Sequence, residues 1–156
     1  MKITGQVTVH APRERVFEAL RDAEFFASCV DGVQDLNEIN DTHYTAVLET
    51  KVAYIRFRFN VEVDITRIDF PSHIEAQISG TPMGIVGRLT STSTTELHEN
   101  GDETVIDYAI DVNLTGKLGS IGQPVLKSKA REMERVFTER MRAAFAEADQ
   151  MAGGVS

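Results

Sequence analysis

The stretch that most constrains this chain is its last long segment, roughly Leu118 to Gln150, which carries one apolar stripe at helical spacing. Leu126, Ala130, Met133, Phe137, Met141, Ala144 and Ala148 recur in steps of three and four, which places them on one face of a helix. Lys127, Arg131, Glu134, Arg135, Glu139 and Arg142 fall mainly on the flanks and back. Pro124 is tolerated only in a first turn, so the regular helix is expected to begin there or just before. Gly153 and Gly154 follow the last apolar position, as a helix end requires. A helix this long with a one-sided stripe needs a surface to cover it.

The preceding hundred residues read as a sheet able to supply one. Ile3, Gly5, Val7 and Val9 alternate with polar neighbours, the pattern of a half-buried strand. Pro12 then opens a short helix bearing Val16, Phe17 and Leu20, and Asp22 is placed to cap a second bearing Phe25 and Phe26. Val33 to Ile39 and Tyr44 to Val52 are strands joined at Asn40-Asp41. Phe57, Phe59, Val61, Val63 and Ile65 form the clearest alternation, followed across Asp69-Phe70-Pro71-Ser72 by Ile74, Ala76 and Ile78. Arg88 to His98 and Ile106 to Leu114, joined at Asn100-Gly101, complete the set. The economical solution is an α+β helix-grip fold. A seven-stranded curved antiparallel sheet wraps around the long C-terminal helix, with two short helices between strands 1 and 2. One domain is expected over residues 1–150, with a short tail at 151–156.

Composition narrows the function. A chain 42% hydrophobic and 26% charged is ordinary for a soluble protein, and no apolar run approaches the ~20 residues of a membrane span. The single cysteine, Cys29, excludes an intramolecular disulfide and, with no signal pattern at the N-terminus, fits a reducing cytoplasm. A net charge of −8 argues against nucleic acid as a partner. That charge is uneven. Residues 117–156 carry +2 and residues 1–116 carry −10, and Lys117, Lys127, Lys129 and Arg131 follow one another without an acid between them. Cations near a helix N-terminus oppose its dipole, so these four suit either an ordinary solvated face or a negatively charged membrane or acidic partner.

Successive antiparallel strands put their connections at alternating ends. One end receives the tight polar turns at Asn40-Asp41, Pro71 and Asn100-Gly101. The other receives Ala53-Tyr54-Ile55, the segment Gly80 to Gly87 with Met83, Ile85 and Val86, and Gly116 to Gly122 with Leu118 and Ile121, together with Cys29 to Gly32. Apolar side chains in glycine-rich loops require a core, a ligand or a partner, so this end reads either as the mouth of a cavity or as a plug of side chains. On the strand Arg88 to His98, an inward Leu89 and Leu97 bring Ser91, Ser93 and Thr95 inward too. These hydroxyls can meet a ligand head or satisfy themselves locally.

Catalytic chemistry is sparse. His10, His43, His73 and His98 are too scattered for a metal set or a nucleophile–base pair, and read as surface histidines. Ser91 and Ser93 lack an inward base, and a lone Cys29 beside a short apolar helix is the pattern of an inert thiol. Asp31 fits a loop-capping role better than that of an acid, and phosphate-loop and dinucleotide fingerprints are absent. No cofactor or metal is expected.

The order of elements resembles the START-like, or birch-pollen-allergen-like, superfamily, and more closely the CoxG family of carbon monoxide dehydrogenase subunits. The stretches that carry the likeness are Met1-Lys2-Ile3-Thr4-Gly5, Ala11-Pro12 with Val16-Phe17, Cys29-Val30-Asp31-Gly32-Val33, the loop Gly80 to Gly87, and Gly116-Lys117-Leu118-Gly119 leading into the long helix. Relatives usually carry Pro at the position of Asp31 and Gly-Pro at Ala53-Tyr54, so ligand choice is this chain's own. Many relatives also extend beyond the long helix, where Met151 to Ser156 stand here.

The resemblance implies a cytoplasmic accessory protein for a molybdenum hydroxylase, peripheral on the inner face of the membrane, that links the enzyme to the membrane or respiratory chain. It also implies a non-catalytic pocket for a hydrophobic small molecule, a lipid or an isoprenoid quinone. The expected lining is Leu48, Phe57, Phe59, Ile78, Ser91, Ser93, Tyr108, Met133 and Phe137, with Met83 and Ile85 as a gate. Lys117, Lys127, Lys129 and Arg131 are the expected membrane or partner contacts. A docking module with a filled core, and a cyclase- or hydrolase-like enzyme on the same fold, stay open as alternatives.

Overall fold

The computed structural model describes the backbone of residues 1–153 and the side chains of residues 1–146. In chain order it has β1 (Lys2–Val9), α1 (Arg13–Arg21), α2 (Ala23–Cys29), β2 (Val33–Asn40), β3 (His43–Val52), β4 (Ile55–Asp69), β5 (His73–Pro82), β6 (Gly87–Asn100) and β7 (Glu103–Gly116). A 3-10 turn (Lys117–Ser120) and α3 (Gln123–Gly153) follow. The strands form one sheet in the order β1-β7-β6-β5-β4-β3-β2, every pair antiparallel. The expected α+β helix-grip architecture is therefore present, with α3 lying against β1, α2 and β3.

Local chemistry sets these elements as the sequence indicates. The Asp22 carboxylate accepts hydrogen bonds from the Glu24 and Phe25 amides at 3.0 and 3.2 Å, capping α2. Thr104, fully buried, donates its hydroxyl to the Ala11 carbonyl at 2.7 Å and ties β7 to the start of α1. The strand register aligns inward side chains in rows. One row runs Val63, Ile78, Ser91 and Val112, and the next Ile65, Ala76, Ser93, Ile110 and Ile3.

Two apolar clusters hold the fold, one at each end of the sheet. The larger gathers Val7, Val9, Val16, Phe17, Cys29, Ile74, Leu97, Ile106, Met141 and Phe145, where α1, α2 and the C-terminal half of α3 meet the strands. The smaller consists of Val52, Phe57, Phe59 and Leu118, with Leu48, Ile85, Leu89 and Ile121 packed against it. Phe145, rather than Ala144, is the buried member of the last described helical turns, and it meets the Phe25 ring at 6.1 Å. Ala148 of the expected stripe, Gly154 of the expected helix end, and the side chains of the expected tail lie outside the described residues.

Two boundaries differ from the sequence reading. The long helix begins at Gln123, not near Leu118, because Gly119 and Gly122 weaken helix and Pro124 belongs in a first turn. The preceding residues form a separate 3-10 turn that drives Leu118 into the smaller cluster, leaving it 1% exposed. Likewise β5 continues to Pro82, because Gly80 pairs with both Val61 and Leu89, so the expected Gly80–Gly87 loop shrinks to Met83–Val86.

Gly116 makes the Leu118 plug possible. Its backbone lies at φ 63, ψ −142, and an added Cβ would stand 2.5 Å from the Val86 carbonyl oxygen. Gly84 is also left-handed, at φ +77, but a Cβ there meets nothing within 4 Å. Gly116→Ala should therefore cost at least about 3 kcal/mol in urea denaturation, against about 1 kcal/mol for Gly84→Ala. Equal costs would mean that the close approach at Gly116 does not constrain the turn.

Candidate ligand site

The inner face of the sheet is tightly packed at one end and loose in the middle. On β6, Leu97 is 1% exposed, whereas Ser93, Ser91 and Leu89 on the same face are half-buried. On β7, Ile106 is 4% exposed, and Tyr108, Ile110, Val112 and Leu114 are half-buried. The helix shows the same change. Phe137, Met141 and Phe145 join the larger cluster, whereas Leu126, Ala130 and Met133 are half-buried and belong to neither cluster among the described residues. Between the clusters, side chains that face the helix across the sheet thus remain reachable by solvent. Apolar walls with a few hydroxyls are the usual lining of a small-molecule site.

The structure distributes the expected lining residues over this region. Ile78, Ser91 and Ser93 lie in the central rows; Tyr108, Met133 and Phe137 lie toward the larger cluster; Phe57 and Phe59, stacked at 5.7 Å, lie in the smaller one beside Leu48. Met83 is 43% exposed on its loop, and Ile85 packs against the smaller cluster. The end that the loops suggested as a mouth is filled by Leu118, with Ile121 and Ile85 around it. Cys29 is also not at that end. It belongs to the larger cluster, and neighbouring Asp31 pairs with Arg140 of α3 at 3.1 Å.

One polar group on the inner side escaped the sequence reading. The Tyr108 hydroxyl donates to the Glu134 carboxylate of α3, which also accepts from Arg131 Nη1 at 3.0 Å. Gly5 lies beneath this contact, where any Cβ would stand 2.3 Å from the Tyr108 hydroxyl. Two further ties, from Arg142 to the Thr8 carbonyl (2.9 Å) and from Arg140 to Ser28 and Asp31, hold α3 farther along. All three lie at or beyond Arg131, so the first turns of the helix have none of them. The signal for Glu134 was its position one step from Met133, on the edge of the stripe.

The end with the smaller cluster has a distinct surface. Five of the seven large apolar side chains exposed among the described residues are here: Tyr54 (95%), Ile55, Met83, Val86 (79%) and Val125. Segments 50–58, 80–90 and 113–131, which build this end, hold eight of the sixteen Lys and Arg and none of the 24 Asp and Glu. Arg58 pairs with Glu49, Lys129 with Glu132 and Arg131 with Glu134. Lys51, Arg56, Arg88, Lys117 and Lys127 form no ion pair among the described residues. Of the four cations singled out from sequence, Lys117, Lys127 and Arg131 are exposed, and the Lys129 side chain is only 15% exposed.

Other reactive groups are engaged elsewhere. Burial pushes the Cys29 thiol up from its ordinary value, against the lowering effects of Ser28 and Arg140, which disfavours the thiolate. His43, His73 and His98 each lie within 3.8 Å of two carboxylates on the outer face, and no group of three or more His, Cys, Asp or Glu among the described residues could hold a metal. No helix among these residues is long and apolar enough to cross a membrane.

Comparisons with known proteins agree with this geometry. The family profile for the CoxG subunit of carbon monoxide dehydrogenase matches residues 5–146. No curated protein matches the chain. A conserved protein from Geobacillus kaustophilus is similar in structure at 21% identity and a TM-score of 0.86, covering 95% of this chain and 97% of the other. A START superfamily protein from Mycobacterium smegmatis gives 12% identity and a TM-score of 0.70, over 94% and 98%. Ara h 8.0201 gives 13% and 0.67, over 94% and 98%. At these identities the structural likenesses establish the START-like fold.

The Tyr108–Glu134 contact predicts a pH dependence. Burial first, then the bond to Glu134 and its negative charge, push the Tyr108 phenol above the ordinary 10.0, with Arg131 opposing. The folded state thus holds this proton more tightly than the unfolded chain. The stability it contributes is complete below the ordinary value and is lost as pH rises past it. Tyr108→Phe should cost about 1–2 kcal/mol at pH 7 through the lost hydrogen bond. Its urea midpoint should then fall less steeply than the wild type's from about pH 10 upward. Parallel curves over that range would refute this account.

Proposed function

The chain belongs to the CoxG family of carbon monoxide dehydrogenase subunits, and we propose that it is a non-catalytic accessory protein that binds a hydrophobic small molecule, a lipid or isoprenoid quinone. In this role it links a molybdenum hydroxylase to the membrane or respiratory chain from the cytoplasmic side. The observation that carries the reading is the split core. A helix and sheet that needed only each other would bury the central rows as completely as Leu97 and Met141 are buried; instead Ile78, Ser91, Ser93, Ile110 and Met133 keep accessible surface. An apolar guest would remove that surface from water at roughly 25 cal/mol per Å².

In this reading Ile78, Met133 and Phe137 supply affinity, and Ser91, Ser93 and Tyr108 supply hydrogen-bonding groups. Leu48, Phe57 and Phe59 form the closed end, and Met83 and Ile85 border it. The family carries the hydroxylase partnership. The exposed apolar and basic end supports the membrane contact, with Lys117, Lys127, Lys129 and Arg131 as its helical side and Tyr54, Ile55, Met83 and Val86 as its insertable groups. Exposed cations at an anionic bilayer contribute about 1 kcal/mol each.

Native mass spectrometry followed by organic extraction tests the carrier. A bound lipid or quinone in one-to-one amount is expected. A clean mass that does not change on adding quinones or lipids would favour a filled-core docking module. For the membrane contact, replacing Lys117, Lys127, Lys129 and Arg131 by Glu should abolish sedimentation with anionic vesicles while leaving the circular dichroism spectrum unchanged. Wild-type sedimentation should also weaken as salt is raised. Undiminished sedimentation of the quadruple variant would remove these cations from the contact.

A further inference from the structure

We propose that the guest enters and is held head-outward in a lateral groove between the end of β3 and the first turns of α3, and that its head carries a carboxylate. The proposal rests on the carrier reading and names the ligand class within it. The groove has a volume of about 520 Å³ and is lined by Lys51, Ala53, Pro124, Val125, Ser128, Lys129 and Glu132.

Three independent features converge there. The end of the barrel is shut by Leu118, so a guest cannot pass through the glycine loops without displacing a side chain that is 1% exposed. The first turns of α3 are the part of the helix outside both apolar clusters, and the ties to Tyr108, Thr8 and Asp31 begin only at Arg131. This stretch can therefore move from β3 without breaking the core. Leu126, Ala130 and Met133 follow on the inner stripe, half-buried, and offer a continuous apolar path inward for a chain.

The charge of the groove selects the head. Lys51 forms no ion pair among the described residues. The Lys129 side chain, 15% exposed, has lost most of its contact with water, yet its partner Glu132 is 3.5 Å away and 58% exposed. A cation so desolvated and so loosely paired favours a full anion close by. Ala53, Pro124 and Val125 supply an apolar rim on which the first methylenes of the ligand can lie. A groove of this size, continuing into a single row of apolar side chains, suits one chain rather than two. The class is thus a long-chain carboxylate of the fatty-acid type.

Displacement of the neutral dye Nile red from the purified protein tests this. Oleate and oleyl alcohol, which differ only in the head, are titrated against wild type and against Lys51→Glu/Lys129→Gln. Wild type should release the dye at about tenfold lower oleate than oleyl alcohol, a ratio worth about 1.4 kcal/mol. The double variant should lose that preference and keep the oleyl alcohol curve, which shows that it is folded and its cavity intact. Equal displacement by both compounds in wild type, or an unchanged preference in the variant, would overturn the carboxylate groove and leave the carrier standing. Failure of the wild type to bind dye, oleate and alcohol alike would overturn the carrier reading and this proposal with it.

Discussion

Everything in this fold depends on how the apolar stripe of α3 is covered. Two clusters of side chains share the work, and they are not adjacent. Met141 and Phe145 are sealed against α1, α2 and the near ends of β6 and β7. At the far end Leu118, from the 3-10 turn and not from the helix, seals the aromatic pair Phe57 and Phe59. The intervening stretch of helix is fixed at both ends and covers rows of the sheet that it does not fill. Space between the layers is thus a consequence of where the large side chains stand.

The polar contacts follow the same division. Glu134, Arg140 and Arg142 all lie in the part of α3 that is already packed, and they pin it to β7, α2 and β1. Such ties cost little there, because the helix is immobilised by its core contacts in any case. Placed over the central rows, they would have fixed the spacing between helix and sheet. Their position leaves the first turns of α3 to respond to whatever lies beneath them.

Much of this was legible in the sequence, for identifiable reasons. Period-two alternation in residues such as Phe57 to Ile65 reports a sheet face directly, and the Asp22 cap and the Pro124 start are local chemistry. The direction of Ser91 and Ser93 followed from Leu89 and Leu97 by the same parity. What the sequence could not disclose was long-range. Leu118 looked like part of a helical stripe or a loop, because only the reversal at Gly116 and the approach of Val86 turn it into the core. Glu134 looked like a flank charge, because its meaning depends on Tyr108, 26 residues away. Lys51 went unremarked for the same reason: its neighbour Lys129 comes from another element.

The separation of charge at the two ends has a consequence for how the molecule travels. Half of its cations occupy one end with no acid in the same segments, and the other eight face all 24 acids. The net charge of −8 therefore describes the protein poorly, because as a body it is a strong dipole. Near an anionic surface its acidic bulk is repelled while its basic end is drawn in. Within a Debye length of about 8–10 Å these opposing pulls form a torque. Such a molecule turns before it touches, and arrives with Tyr54 and Val86 leading.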